Sequence, residues 1–397
     1  MKEEKKTFIK GLLVGIVILL WGYTVVSGGM VLYRRHFDQE ITVSQKIDLI
    51  YALLEQHFVG ELDSAAIQDA MFAGMLYGVG DRYTSYMNAY EFSRFIEFAR
   101  GTYYGIGAVV SRAEDGGVLI VSPYVGSPAY NAGILPGDRI ILVDGADISN
   151  YDLGVAISYI TGPAGTSVTL TIYREIDNTT FDVEIVRALI EIPTVFYEIL
   201  ENNIGYIRLT GFEEVTYDQF VQAYTSLLED GIYGLILDLR NNPGGILNTV
   251  VRITDHLVPE GLIISIEGTG GNVTERHSDE NHIEIPFVIL INGNSASASE
   301  VLTGAAMDHG VARVVGQTSF GKGLVQDIFP LPDGSAVRMT VATYFTPNGT
   351  SIHGYGIQPH YEVIMEDALN ARVHQLELEE DIQLQKALEV IDSLINE

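Results

Sequence analysis

The chain has 397 residues and is strongly acidic, with 52 Asp and Glu against 23 Lys and Arg and a formal net charge of −29 at pH 7. A chain of this length is expected to contain two or more domains. The negative charge argues against nucleic acid as a partner, because binding to phosphates depends on basic residues. The lack of cysteine excludes disulfides, cysteine catalysis and thiolate metal sites, and it fits either side of a membrane.

An uncharged, apolar run lies near the N-terminus, from Gly11 to Tyr33. It exceeds the roughly 20 apolar residues that a bilayer requires. Several lysines precede it, which places the N-terminus in the cytoplasm by the positive-inside rule. We therefore predict a single-pass anchor within residues 1–35 and a cell-membrane protein whose bulk lies outside the cytoplasm. The alternative is a cleaved signal peptide, with small residues at 27–29 near the cleavage site, which would make the protein secreted.

Residues 36–100 are predicted to be helical. Apolar residues at 47, 50, 51, 54 and 58 follow the spacing of one helix face. A second helix is predicted from Ser64 to Gly78. A third is predicted to begin at Asn88, with Glu91 three residues later as in a capping box. The third helix is expected to bury an apolar face formed by Phe92, Phe95 and Ile96.

From residue 101 the pattern changes to short strands separated by glycine turns, at 105–107, 126–129, 133–138 and 162–165. The spacing of these turns resembles that of a PDZ domain, here spanning residues 101–188. PDZ domains capture an extended C-terminus by strand addition, and backbone N–H groups hold the terminal carboxylate. The resemblance implies that Gly105, Ile106 and Gly107 form this carboxylate loop. The alternative is that these glycines only end strands.

Beyond residue 189 strands and helices alternate. A strand is predicted at 204–209, a helix at 217–228 and a buried strand at 233–239, which runs into Arg240-Asn241-Asn242-Pro243-Gly244-Gly245. Glycines at the end of a strand let backbone N–H groups face a ligand without obstruction by side chains. We interpret Asp238 and Arg240 as structural residues that hold this loop.

The run Asn294-Ser295-Ala296-Ser297-Ala298-Ser299-Glu300 lies between a predicted strand at 286–291 and a predicted helix at 301–307. At such a junction, free backbone N–H groups and the helix dipole favour negative charge. This suits a nucleophile whose reaction develops an oxyanion. The alternative is a helix of small residues with a capping serine.

A second motif, at 319–326, reads Ser-Phe-Gly-Lys-Gly-Leu-Val-Gln. Backbone can pack closely on Lys322 between its two glycines, and burial lowers the pKa of a lysine. A neutral lysine can then accept the proton of a serine. A Ser-His-Asp arrangement remains an alternative because the chain has nine histidines, although no Gly-x-Ser-x-Gly elbow surrounds these serines. An ordinary loop lysine is the non-catalytic alternative.

Together the two motifs resemble those of the carboxyl-terminal processing peptidases, also called tail-specific proteases. The resemblance covers residues 45–365. It implies an α/β multidomain protein with a crotonase-like protease core, an inserted PDZ domain and no cofactor or metal. By this resemblance Ser297 is the nucleophile, Lys322 the general base and Gln326 the residue that orients the lysine. It also implies that the N–H groups of Gly245 and Ala298 form the oxyanion hole.

Three further features follow from the match. On a straight strand Lys322 and Gln326 would lie about 13 Å apart, so Gly321 and Gly323 are expected to bend the chain. The turn at 80–87 resembles a family segment, with Arg82 in place of a proline, and we interpret it as structural. The segment at 354–360 also matches, with His360 replacing an aspartate outside the catalytic set.

The predicted organisation is an anchor at 1–35, a helical region at 36–100, a PDZ domain at 101–188, a serine protease core at 189–365 and a C-terminal helix at 366–397. The predicted function is a membrane-anchored endopeptidase that recognises protein substrates through their free C-terminal tails. The alternative is a catalytically silent PDZ-based binding protein for C-termini. Helical ends at 41–78 and 368–396 suggest a homodimer, by analogy with relatives that exchange terminal helices.

Overall fold

The computed structural model describes residues 11, 15–27 and 41–396. The lysine-rich end and residues 12–14 and 28–33 of the predicted anchor lie outside the described residues, whereas residues 15–27 are helical. In the part of the chain that is described, no helix is both long and apolar enough to cross a membrane. The chain divides into two units, Met1–Met71 and Phe72–Glu397.

The first unit contains helix α1, Val43–His57, and most of helix α2, Ser64–Tyr77. Helix α1 begins with a capping box in which Thr42 and Gln45 exchange hydrogen bonds. No residue of α1 is buried. On the apolar face predicted for this helix, Ile47 and Ile50 are exposed, and Tyr51 and Leu54 are half-buried.

The second unit begins with strand β1, Ser85–Met87, and helix α3, Ala89–Arg100. The predicted capping box is confirmed, because Asn88 and Glu91 exchange both hydrogen bonds. The predicted burial of the apolar face of α3 is wrong: Phe92, Phe95 and Ile96 are only half-buried. The reason is that α3 borders a cavity, which Phe95 lines.

Residues 101–191 form a separate small domain with its own apolar core. Strand β2, Thr102–Gly105, pairs with β9, Ala188–Glu191, at the point where the chain enters and leaves. Between them lies a sheet of order β3-β4-β5-β7-β8, with β6 paired to β5. The remaining elements are β3 Ala108–Arg112, β4 Val118–Pro123, α4 Pro128–Asn131, β5 Arg139–Val143, β6 Ala146–Asp147, α5 Leu153–Ile160, β7 Ser167–Arg174 and β8 Thr179–Val186.

The core of the second unit is a six-stranded sheet of order β10-β11-β12-β15-β16-β19. Strand β10 is antiparallel to β11, and the other neighbours are parallel. Alternate strand residues pack against helices on opposite faces, which explains why the central strands are apolar throughout. The strands are β10 Val195–Leu200, β11 Ile204–Leu209, β12 Gly234–Asp238, β15 Phe287–Ile291, β16 Ala312–Gly316 and β19 Tyr361–Glu362.

Helices cover both faces of this sheet. Helices α6 (Thr216–Glu229), α7 (Leu247–Asp255) and α8 (Ala298–Asp308) contribute to the larger core cluster. The C-terminal region forms a short α9, Asp367–Asn370, and then α10, Ile382–Ile395, which packs on the other face. The predicted continuous helix over 368–396 is therefore wrong. Helix α10 has its own N-terminus, which the side chain of Asp381 caps.

A second sheet has the order β1-β18-β13-β14, with β17 paired to β18. Its strands are β13 Gly261–Gly268, β14 Val273–Ser278, β17 Leu324–Pro330 and β18 Ala336–Phe345. Strands β17 and β18 pair as an antiparallel hairpin across the turn Pro332-Asp333-Gly334. Gln326 lies in the first strand of this hairpin.

Candidate active site

Two loops that leave neighbouring parallel strands form the site. The loop at 239–246 follows β12, and the segment that contains Ser297 follows β15, its neighbour. Ligands bind at this carboxyl edge in open α/β sheets. Asn242 joins the two loops, because its carbonyl accepts hydrogen bonds from the Ala296 N–H (3.0 Å) and the Ser299 hydroxyl (2.9 Å).

The three serines of the run differ in what their hydroxyls do. Ser295 Oγ donates to the Leu239 carbonyl at 2.7 Å, and Ser299 Oγ donates to the Asn242 carbonyl, and both residues are fully buried. The Ser297 hydroxyl donates no hydrogen bond within the described residues, and Ser297 lines a cavity. Ser297 is therefore the serine whose hydroxyl is available for chemistry.

The backbone of Ser297 is strained. Its φ of 53° and ψ of −110° lie in a region that non-glycine residues rarely adopt. Gly244 packs directly against it: a Cβ at Gly244 would lie 2.9 Å from Ser297 Cβ and 2.7 Å from the Ala296 carbonyl oxygen. Only glycine fits this approach. Strain of this kind concentrates at functional sites.

Two backbone N–H groups at the cavity have no partner. The Gly244 N–H is engaged, since it donates to Asn242 Oδ1 at 2.9 Å. The N–H groups of Gly245 and Ala298 donate no hydrogen bond within the described residues, and both residues line the cavity beside Ser297. The geometry thus presents two unpaired donors next to the serine hydroxyl.

Glu300 ties the two motifs together. Its carboxylate is 1% exposed and accepts hydrogen bonds from the N–H groups of Ser297 (2.8 Å), Gly321 (2.7 Å) and Lys322 (2.8 Å) and from Ser319 Oγ (2.5 Å). One buried carboxylate therefore fixes the backbones of both candidate catalytic residues. The sequence analysis missed this role, although Ser297-x-x-Glu300 is the pattern of a capping box.

Tyr344 makes a second link that no sequence signal indicated. Its hydroxyl lies 2.9 Å from the Ser297 carbonyl oxygen and 2.7 Å from the Lys322 carbonyl oxygen, and its one proton is shared between the two. Burial, together with the charge of Glu300, raises the pKa of Tyr344 well above its ordinary value. The phenol therefore stays protonated and keeps its donor.

Lys322 is half-buried, and its amine lies 4.8 Å from the centre of the Tyr83 ring. Burial lowers the pKa of Lys322, as does the nearby charge of Arg338, whereas Glu300 opposes them. The guanidinium of Arg82 also lies over the Tyr83 ring, 5.0 Å from the ring centre. The turn at 80–87 thus reaches the site, and its interpretation as purely structural was incomplete.

The chain bends between Lys322 and Gln326, so that both line the same cavity. Gly321 has a φ of 87°, and the register of β17 shifts between Val325 and Gln326. Such a bulge turns the following side chain to the other face of the sheet. Gly323 does not adopt a left-handed backbone conformation. The bend that was expected at Gly323 is produced by the bulge instead.

The cavity has a volume of about 380 Å³, and its walls are mostly apolar, with Phe95, Phe98, Phe212, Ile246 and Val301 among them. Its polar groups are Ser297, Lys322, Gln326, Arg338, Tyr344 and Glu213. Burial raises the pKa of Glu213, against the opposing hydrogen bond from Thr216. An apolar pocket with a few convergent polar groups is typical of an enzyme site.

Two regions of the chain match known protein families. Residues 203–363 match Peptidase family S41, and residues 119–174 match a PDZ domain. The chain is 38% identical over 327 residues to the carboxy-terminal-processing protease of Bartonella bacilliformis, covering 81% of this chain and 74% of that protein. The carboxy-terminal processing protease CtpA of Bacillus subtilis is 32% identical over 370 residues, which is 92% of this chain and 79% of that protein.

The chain belongs to the carboxy-terminal processing protease family. It is an α/β multidomain S41 serine protease with a PDZ domain, and its substrates are proteins with C-termini. This membership sets aside the alternative of a catalytically silent binding protein. Among solved structures, a putative S41 protease from Bacteroides fragilis has the same fold, with a TM-score of 0.51 at 17% identity over 85% of this chain and 93% of that one.

Asp238 ends β12 and Arg240 lies in the loop at 239–246, and neither residue of this protease lines the cavity. Arg240 Nη2 lies 2.6 Å from Asp238 Oδ2, and Arg240 Nη1 lies 2.8 Å from Asp381 Oδ1, all three residues being buried. Burial alone would raise the pKa of Asp238, but Arg240, together with His374 and Tyr206, holds that pKa below its ordinary value. These contacts agree with a structural role. His360 is also structural, since its Nδ1 accepts the Val314 N–H.

The PDZ loop at 105–107 is held by the start of α4. The Gly107 carbonyl accepts hydrogen bonds from Ser127 Oγ (2.8 Å) and the Tyr124 N–H (3.0 Å). Gly107 has a φ of 80°, and a Cβ there would lie 2.4 Å from Ser127 Cβ. Burial raises the pKa of Tyr103 to about 12, opposed by the nearby N–H groups of Ala108 and Gly107.

No cluster of three or more acidic or histidine side chains is arranged to hold a metal ion within the described ranges.

Proposed function

We propose that this carboxy-terminal processing protease cleaves peptide bonds with Ser297 as nucleophile and Lys322 as general base, with Gln326 orienting the lysine amine. The observation that supports this most directly is the shared cavity. It brings a serine with a free hydroxyl together with a lysine of lowered pKa and two unpaired backbone N–H groups.

The amine of Lys322 has to reach Ser297 Oγ for the reaction to begin. In the described conformation the amine of Lys322 lies over the Tyr83 ring. A general base has to come within about 2.6–3.2 Å of the atom whose proton it accepts. The backbones of both residues are fixed by Glu300 and Tyr344. The movement therefore falls to the lysine side chain. Gln326 lies in the same cavity, where its side-chain oxygen can accept an N–H of the amine.

The reaction then follows the acyl-enzyme course of serine proteases. Ser297 Oγ attacks the peptide carbonyl while its proton passes to Lys322, and the N–H groups of Gly245 and Ala298 stabilise the oxyanion. Each such donor contributes about 10²–10³-fold to the rate in known cases. Lys322 returns the proton to the leaving amine, and water hydrolyses the ester on Ser297 with the lysine again as base.

The PDZ domain is proposed to bind the substrate's free C-terminus at Gly105, Ile106 and Gly107. The support is the left-handed Gly107 and the hydrogen bonds that Ser127 and Tyr124 donate to its carbonyl. Binding of a tail shifts the protein toward an open state only if the tail binds that state more tightly.

The same proposal includes an anchor formed by residues 11–33, a catalytic part outside the cytoplasm, a crotonase-like core and a homodimer. The anchor is supported by the uncharged run after several lysines, and the dimer by the exposed apolar residues of α1. Fractionation tests the anchor. The full chain should stay in the membrane pellet after alkaline carbonate and be released by detergent, whereas release by carbonate would contradict it.

Casein hydrolysis by the full chain in detergent tests the catalytic assignment. Ser297→Ala removes the nucleophile and should lower kcat by at least about 10³-fold while leaving the thermal unfolding temperature unchanged. The matched control is Ser393→Ala, which removes an exposed hydroxyl on α10. Hydrolysis by Ser297→Ala at the rate of the control would contradict the proposal.

A further inference from the structure

Arg338 is a basic side chain in the active-site cavity without an obvious partner. It lies in β18 and lines the cavity together with Ser297 and Lys322. Its Nε is buried and has no hydrogen-bond partner. Among the described residues its guanidinium forms no ion pair. A buried guanidinium N–H that stays unpaired is unfavourable, because it has lost its hydration without a replacement.

Other arginines with largely buried side chains do have partners, and Arg187 donates to the backbone carbonyls of Ile160 and Tyr159. Arg174 pairs with Asp138 at 2.7 Å, and Arg240 pairs with Asp238 at 2.6 Å. The chain carries 52 acidic residues against 23 basic ones, so carboxylates for such pairs are abundant. The unpaired state of Arg338 is therefore a local feature of the cavity.

One neighbour of Arg338 in the cavity is also a donor without an acceptor. Gln326 Nε2 is buried and unpaired. In the β17–β18 register Gln326 faces Thr340, and Ile328 faces Arg338, so Gln326 and Arg338 are diagonal neighbours on one face of the hairpin. Glu213 is the one acidic residue that lines the cavity, and its carboxylate accepts from Thr216 Oγ1 at 3.1 Å. The chemical group that complements this set is an added carboxylate, which an arginine can bind through two parallel hydrogen bonds.

We propose that Arg338 binds a carboxylate of the substrate and so selects chains that carry one within a few residues of the scissile bond. The carboxylate is either an Asp or Glu side chain or the terminal carboxyl group of a short tail. This inference rests on the proposed function, because it takes the Ser297 cavity as the place where the substrate is cleaved.

Matched peptides test this selection with the full chain. Each pair differs only by Glu or Gln at one position, scanned over the residues on both sides of the scissile bond. At one position the unmodified enzyme should show a kcat/KM about tenfold higher for the Glu peptide than for the Gln peptide. This is the size of effect expected from a charge-assisted hydrogen bond between Arg338 and the carboxylate. Arg338→Gln should reduce this ratio to about one, and Arg338→Lys should retain part of it.

The ratio, and not the rate, is the readout, because Arg338→Gln also removes a charge that acts on Lys322 and so affects both peptides alike. Arg252→Gln is the control for net charge: its side chain is 56% exposed and lies outside the cavity, so it should keep the full ratio. A separate pair without acidic side chains, ending in a free or an amidated carboxyl group, distinguishes the two sources. If Arg338→Gln removes a preference in this pair, the carboxylate is the chain terminus.

Two results overturn the inference while the catalytic assignment of Ser297 and Lys322 stands. One is hydrolysis of every pair at equal rates by the unmodified enzyme, and the other is a preference that survives Arg338→Gln unchanged. Failure of the unmodified enzyme to cleave any peptide or casein would instead contradict the proposed function, and this inference with it.

Discussion

Ser297 and Lys322 are held through their backbones, and their reactive groups are left unbonded. The Glu300 carboxylate accepts the N–H groups of both residues, and the proton of the Tyr344 hydroxyl is shared between the carbonyls of both. The two Cα positions are thereby fixed relative to each other, while Ser297 Oγ and the Lys322 amine stay available. Such preorganisation by surrounding residues is what precise positioning of reacting groups requires.

Glu300→Gln tests this arrangement. An amide offers one oxygen and places an NH₂ group among the N–H donors that surround it, so buried donors lose their acceptor. We expect a loss of about 1–3 kcal/mol in the free energy of unfolding and a fall in kcat of about a hundredfold through misplacement. Thermal unfolding and peptide hydrolysis measure the two effects. Glu284→Gln, at an exposed position, is the control, and equal behaviour of the two variants would refute the role of Glu300.

The pH dependence tests Lys322. The base must be unprotonated, and its pKa lies below the ordinary value of 10.5 because burial and Arg338 disfavour the charge. The value of kcat/KM should therefore rise with pH through this lowered pKa and level off above it. Lys322→Arg cannot release its proton and should be as inactive as Lys322→Ala. Near-normal turnover by the arginine variant would make Lys322 an electrostatic residue, and another base would have to be found.

At the scale of the elements, features that depend on local sequence patterns were predictable, and features that depend on the pairing of strands were not. The capping box at Asn88 and Glu91 and the strand at 204–209 follow from local patterns. The bulge before Gln326 depends on the β17–β18 register, which no single strand specifies. The contact of Tyr83 with Lys322 joins segments that are distant in sequence, so the residues alone could not indicate it.

The PDZ loop gives a prediction at this scale. Substrates with a free, apolar C-terminus should be cleaved faster than the same chains amidated. Gly107→Asp should erase this difference, because it strains a left-handed backbone, crowds Ser127 and places an anion at the loop. Gly107→Ala is the matched control for strain without charge. Equal cleavage of free and amidated substrates by the unmodified enzyme would mean that the loop does not recognise the carboxylate.

At the scale of the whole molecule, a buried ion pair ties the C-terminal helix to the catalytic loop. Arg240 contacts both Asp238 at the end of β12 and Asp381, which caps α10. Asp381→Asn leaves part of the Arg240 charge uncompensated in a buried site and should destabilise the fold by about 3 kcal/mol. Glu389→Gln breaks an exposed pair on the same helix and should cost about 0–1 kcal/mol. Denaturant unfolding compares the two, and equal small effects would show that the link is not structural.

Covalent labelling tests the central assignment most directly. An electrophilic peptide phosphonate reacts with a serine that has an activated hydroxyl, and peptide mapping by mass spectrometry identifies the modified residue in the full chain. The account predicts a single adduct on Ser297, formed faster as pH rises and absent in Lys322→Ala. An adduct on Ser295 or Ser299, or labelling of Ser297 at an undiminished rate in Lys322→Ala, would contradict it.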